Sequence, residues 1–393
     1  MMLRAVILVA VFGLAMPAWA DPAGLTQRRT DLEIESDRLG ETRRLIVQVP
    51  SSYAAEPGRT YPVFVLTDAI WQFDLVAATL DYHARWGRIP EHLVVGLYNP
   101  ERNLDLVPAA DAGYPGTGGG DAYLAHVTAE VLPLIEARYR TNGVELLFGH
   151  SFGGVMTLNQ LLTAPEAFDA YIALGASTWV AERILFDRLD EAAMTPMAGR
   201  VLYMGVGETD GGATVPDGER FAAELEARDP TGLDWTFEIR PGENHFTNVP
   251  EGLHRALGFI YPFADQQGAV VEAGRRGGPA GVRAWFDDRE TALGWRFVPQ
   301  AMELGLAGFQ LALAGEEAAS HAVFDALEAR YPDNVEVVAV RANALAQTQR
   351  YEDALAALDR AIALGEAEGH PPSRLAAFRA YRARLVARRA ADR

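Results

Sequence analysis

Val144-Glu145-Leu146-Leu147-Phe148-Gly149-His150-Ser151-Phe152-Gly153-Gly154 is the stretch on which the fold turns. A short apolar run, able to form a buried strand, ends in Gly-x-Ser-x-Gly and passes straight into helical spacing at Val155, Met156, Leu158, Leu161 and Leu162. A nucleophile elbow requires that succession. The turn is so sharp that Gly149 and Gly153 must lack side chains, and Ser151 is held at the tip in a strained conformation. Its hydroxyl then faces outward, and the Phe152 N–H can point at a developing oxyanion. The chain has 37 glycines but only seven serines, so chance supplies about 0.06 such motifs before the strand and helix flanks are required. An inert serine in a glycine-rich turn is the weaker reading.

Working outward, Asp31–Ser36 and Arg44–Val49 alternate in polarity and suggest an antiparallel opening pair. Val63–Leu66 and Leu93–Leu97 are apolar at nearly every position, with a helical stretch around Phe73–Trp86 between them. Such runs, alternating with helices, indicate a parallel sheet covered on both faces. A Gly-, Pro- and Asp-rich loop from Asn99 to Gly120 leads to a helix over Ala122–Tyr139, and further strands follow at Ala170–Leu174, Val201–Val206 and Trp235–Arg240. The count is eight strands, with the elbow after the fifth. The fold class is therefore α/β, an α/β-hydrolase with a mostly parallel sheet.

In that fold the chain order is nucleophile, acid, base. Strand seven ends Gly205-Val206-Gly207-Glu208-Thr209-Asp210, and strand eight ends Arg240-Pro241-Gly242-Glu243-Asn244-His245. Both loops offer the required residue type at the carboxyl end of a strand. Ser151 would attack a carbonyl carbon while His245 takes and returns the proton. Asp210 would hold the imidazole, with Glu208 as the alternative acid. His150 adjoins the serine, but a tight turn is expected to direct it elsewhere. The second oxyanion donor should come from the backbone of Ala69 or Ile70, after strand three. There is no Cys and no His pair at ligand spacing, so neither a metal nor a cofactor is expected.

Residues 1–20 read as a secretory signal: Arg4, an apolar core from Ala5 to Met16, and Ala18-Trp19-Ala20 before Asp21. Secretion, in a periplasmic setting, is the expectation. The formal charge of −18 argues against nucleic acid or an anionic membrane as partner. Residues 21–265 would form the hydrolase domain, the Gly-rich stretch 266–281 a linker, and 282–393 an all-α domain. There Leu304 aligns with Val338, Leu311 with Leu345, and Phe324 with Leu358, a period of 34 that resembles tetratricopeptide repeats. A peptide or protein partner, or a packed appendage, are the two roles open to such a tail.

At Arg43–Pro50, Tyr61 through Asp68, Val94–Leu97, Asn99–Arg102, Asp105–Pro108, Gly149–Gly154 and the His245 loop the chain resembles the serine esterase family that contains esterase D, the ferri-siderophore esterases, feruloyl esterases and mycolyltransferases. The siderophore-esterase branch is most similar, through Asn99, Arg102 and Asp105-x-x-Pro108; Ser177-x-Trp179 resembles the segment walling its active site. The resemblance implies a serine carboxylic-ester hydrolase working through an acyl-enzyme, with Ser151 and His245 as nucleophile and base, Asp210 as acid, and Arg102 and Trp179 at the substrate. Acyl transfer to a sugar or lipid alcohol, and a catalytically silent binding scaffold, are the competing readings.

Overall fold

A computed structural model describes residues 28–54, 57–192, 197–262, 266–370 and 372–391. The signal-like segment lies outside the described residues. Eight strands among them form one sheet: β1 (Arg29–Ser36), β2 (Glu41–Gln48), β3 (Tyr61–Leu66), β4 (Leu93–Leu97), β5 (Thr141–His150), β6 (Ala170–Leu174), β7 (Val201–Gly207) and β8 (Asp234–Arg240). Their spatial order is β1-β2-β4-β3-β5-β6-β7-β8. β2 runs antiparallel to both β1 and β4, and the remaining pairings are parallel.

The burial pattern follows the apolar pattern. Every residue of β3, β4, β6 and β7 is buried, whereas the edge strand β1 is mostly exposed or half-buried. Alternate residues Val65, Val95, Leu147, Tyr171 and Leu202 share a core with Val155, Leu158 and Leu161 of the helix Phe152–Thr163. Full burial of each aliphatic side chain stabilises by about 1.5–3 kcal/mol. The helix expected over Ala122–Tyr139 is broken in register: Gly120–His126 is α, Val127–Val131 is π, and Leu132–Arg138 is α again. Pro133 has no N–H to give, and the wider turn just before it absorbs the missing rung.

Topology positions the site. β4 lies on one side of β3 and β5 on the other, so the chain reverses its direction of travel across the sheet between them. Leu66 pairs with Phe148, which brings the turns after β3 and β5 side by side at the carboxyl edge, where parallel sheets bind ligands.

The chain divides into two compact units, one containing the sheet and ending at Pro262 and one containing the helices beyond it. In the second unit, Ala301–Leu313, Glu317–Arg330, Val335–Gln347 and Tyr351–Ala367 are two helix pairs whose starts repeat every 34 residues, followed by Pro372–Ala391. Residues 266–281 differ from the linker expected there. They belong to the helix Gln266–Leu293, interrupted only where Gly278 takes φ 56° ahead of Pro279. Val270, Val271, Gly274, Val282 and Phe286 are buried along it, and Gly274 admits Leu311 so closely that a Cβ would lie 2.9 Å from it. No helix among the described residues is long and apolar enough to cross a membrane.

Candidate active site

Ser151 has φ 62° and ψ −118°, a backbone conformation that non-glycine residues avoid unless the surroundings impose it. Here they do. The Ser151 N–H donates to the Leu174 carbonyl at 3.0 Å, and the Ser151 carbonyl accepts from Val155 at 3.1 Å and Ser177 at 3.3 Å. A Cβ on Gly149 would run into the Gly153 carbonyl, and one on Gly153 into the Thr67 hydroxyl. Gly149 is thus demanded by close approach of main chain to main chain, and Gly153 by the close approach of the Thr67 side chain. The Ser151 Oγ lies 3.4 Å from the Ser177 Oγ.

Asp210 and His245 come from the loops after β7 and β8. The His245 Nδ1–H faces both Asp210 oxygens, at 3.0 and 2.9 Å. A carboxylate only accepts, so the proton sits on Nδ1 and Nε2 is left as the basic nitrogen. Asp210 is buried. Glu208 is turned away: its Oε2 accepts the Gly242 N–H at 2.9 Å and braces the start of the His245 loop. Thr209 ties the other end, its N–H and hydroxyl both donating to the Glu243 carbonyl at 2.9 Å. A Cβ on Gly175, next to Leu174, would lie 3.3 Å from both Asp210 Oδ2 and His245 Nδ1. The pair therefore stands against the backbone that also holds Ser151. No Ser151–His245 hydrogen bond is formed among the described residues. In ligand-free sites such bonds are often long and tighten only around substrate.

His150 is directed at the His245 loop. Its Nε2 lies 2.7 Å from the His245 carbonyl, and the two rings are 4.6 Å apart. Burial, then the neighbouring His245, lowers its pKa from 6.5 to about 4. His254 pairs with His83 at 3.1 Å, and His92 with the Tyr261 hydroxyl at 2.9 Å.

The turn after β3 has Asp68 at φ 55°, with its N–H donating to Asn99 Oδ1 at 2.9 Å. Helices begin directly after both turns, at Ala69 and Phe152. The N–H groups of Ala69, Ile70 and Phe152 thus lie in first turns, where no intrahelical acceptor exists and the helix dipole is positive. Asn99 donates in turn to Asp105 at 3.2 Å, and the buried Arg43 grips Asp105 with two bonds of 2.8 and 2.9 Å. Burial raises the Asp68 carboxyl above its ordinary pKa against the pull of Arg102, whose Nε donates to it at 2.8 Å. The Arg102 guanidinium also lies 5.1 Å from the Phe152 ring and 5.7 Å from Trp71. Trp179 packs 5.2 Å from Tyr114 and 6.3 Å from Phe152, its Nε1–H reaching the Thr214 hydroxyl at 3.3 Å. Trp71 is 68% exposed, Ile70 73% and Phe246 76%, so the surroundings are aromatic and open.

The residues alone do not mark His150 as part of the site, and Ser177, Asn99, Asp105 and Arg43 are marked only through the family resemblance, which does not show the hydrogen bonds that join them.

The Esterase family model ("Putative esterase") matches residues 36–267. A siderophore triacetylfusarinine C esterase of Aspergillus fumigatus is 39% identical over 80 residues, covering 20% of this chain and 27% of that one; the chain thus spans about a quarter of this relative's length. The ferri-bacillibactin esterase BesA of Bacillus subtilis is 26% identical over 258 residues, covering 58% of this chain and 89% of that one. Among solved structures, an IroE-like serine hydrolase from Shewanella oneidensis superposes with a TM-score of 0.64 at 24% identity, over 77% of this chain and 99% of that chain. This last likeness concerns the fold.

Proposed function

The chain belongs to the Esterase family, and from that premise we propose that it hydrolyses carboxylic esters through an acyl-enzyme on Ser151. The observation that carries this is the His245–Asp210 pair, at 2.9 and 3.0 Å, set against the backbone that strains Ser151. As Ser151 Oγ bonds to the acyl carbon, its proton passes to His245 Nε2, and Asp210 stabilises the imidazolium through Nδ1. Negative charge develops on the carbonyl oxygen, within reach of the Phe152 N–H and that of Ala69 or Ile70. The tetrahedral species collapses, the alkoxide leaves with the proton from Nε2, and Ser151 keeps the acyl group. Water then attacks, giving its proton to Nε2, and the acid departs while the serine is re-protonated.

The aromatic rim favours an acyl or alcohol part that is flat, in keeping with relatives named as siderophore esterases. Export rests on the signal-like residues 1–20, and the helical tail is proposed to be tetratricopeptide-like on its 34-residue spacing. A fluorophosphonate probe should label the wild-type protein and not Ser151→Ala. The same substitution should lower kcat on p-nitrophenyl esters by about 10⁴-fold or more. Turnover unchanged in Ser151→Ala would sink the proposal, and product appearing only with an added alcohol would replace hydrolysis by acyl transfer.

A further inference from the structure

Residue 150 has no part in the steps above, yet it is the residue before the proposed nucleophile and it touches the proposed base. We infer that His150 is a positioning residue that ties the end of β5 to the His245 loop through a hydrogen bond from its Nε2–H to the His245 carbonyl; this rests on the proposed hydrolase mechanism.

The contact, at 2.7 Å, joins residues 95 apart in the chain. A backbone carbonyl can only accept, so Nε2 must carry the proton; in the neutral ring Nδ1 is then an acceptor, and it faces the Gln72 side-chain amide at 3.5 Å. That arrangement holds only while the ring is uncharged. The groups that bear on it are His245, Arg102 and Asp210, and burial with the first two opposes protonation. His150 therefore keeps a fixed tautomer and cannot compete for the Ser151 proton. The carbonyl it holds belongs to the same residue as the basic imidazole. Fixing that peptide, with the rings 4.6 Å apart, limits how the His245 side chain can leave the backbone, while Asp210 fixes the other end at Nδ1. Two anchors on one residue specify a direction; one alone leaves a hinge.

Steady-state kinetics on a p-nitrophenyl ester test this in His150→Leu, which keeps apolar volume without a donor, and His150→Gln, whose amide reaches about as far as Nε2. Misaiming the base should lower kcat by about 10- to 100-fold in the Leu variant. KM should stay within about twofold and the Gln variant should recover most of the loss. Should His150→Leu fail to fold, His150→Asn replaces it, since its shorter amide falls short of the carbonyl. Wild-type kcat in the Leu or Asn variant, or a Gln variant no better than either, overturns the tie while leaving hydrolysis intact. Equal turnover by wild type and Ser151→Ala overturns the hydrolase proposal and the tie with it.

Discussion

Two strand-to-helix turns stand side by side at the carboxyl edge of the sheet, and each puts a non-glycine residue into left-handed φ: Asp68 at 55° after β3 and Ser151 at 62° after β5. The anomaly is the same but the means of holding it differ. Around Ser151 the backbone is pressed into place by neighbours so close that Gly149 and Gly153 cannot carry a Cβ. Around Asp68 a relay of polar side chains does it, from Asn99 to Asp105 to Arg43, with Arg102 on the carboxylate. Steric confinement fails all at once when a methyl is added. A polar relay fails by degrees, and what it loses first is aim.

The largest effect should come from Gly149→Ala. The added methyl meets main chain on the partner side, and main chain cannot rotate away. A cost of about 3 kcal/mol or more is expected, roughly a 6–12 °C fall in the thermal midpoint, together with loss of fluorophosphonate labelling at Ser151. A midpoint within 2 °C of wild type, with labelling retained, would show that the elbow has slack and dissolve the contrast between the turns.

Asn99→Leu should behave differently. It deprives the Asp68 N–H of its acceptor and Asp105 of one donor, while Arg43 still holds Asp105. The expected stability loss is about 1–3 kcal/mol. Its kcat, however, should fall by about 10- to 100-fold, because the backbone donors that follow Asp68 lose their bearing on the oxyanion. Denaturant titration and steady-state kinetics on the same preparation check the pair of numbers. A fall in kcat no larger than the fraction unfolded accounts for would reduce Asn99 to a packing residue.

The same contrast explains which parts of the fold and the site are legible in the sequence. Close approach requires glycine, and glycine is visible in the sequence, so Gly149-x-Ser151-x-Gly153 can be found by inspection. The buried strands β3 to β7 are legible for a related reason, since burial on both faces leaves long apolar runs. A bond from the Asp68 N–H to Asn99 joins positions 31 apart with no required spacing, so the family resemblance marks the residues of the relay but not the contacts between them. His150 was hidden likewise, because its partner is a main-chain carbonyl, which every residue possesses. Over 266–281 the obstacle was composition. Gly and Arg mask a helical face of Val270, Val271, Gly274, Val282 and Phe286 that only its neighbours bring out.

The smallest effect expected is in the pH dependence of stability, and it separates the two turns by charge. His150 has its pKa lowered from 6.5 to about 4 by burial and by His245, and His92, at about 3, is the other strongly lowered histidine of the sheet unit. Below pH 6.5 the unfolded chain takes up protons at both positions while the folded chain does not, so stability falls with falling pH until the folded pKa is reached. Each histidine should contribute a slope of about 1.4 kcal/mol per pH unit across that window. His150→Gln should remove one such share, about 2 kcal/mol of the difference in unfolding free energy between pH 7 and pH 5. Asn99→Leu changes no group that titrates with the histidines and should shift the curve without altering that slope. Urea unfolding of wild type and the two variants at both pH values decides it: parallel curves for wild type and His150→Gln would mean that the residue before Ser151 gains its proton in the folded state, and with it would go the fixed tautomer.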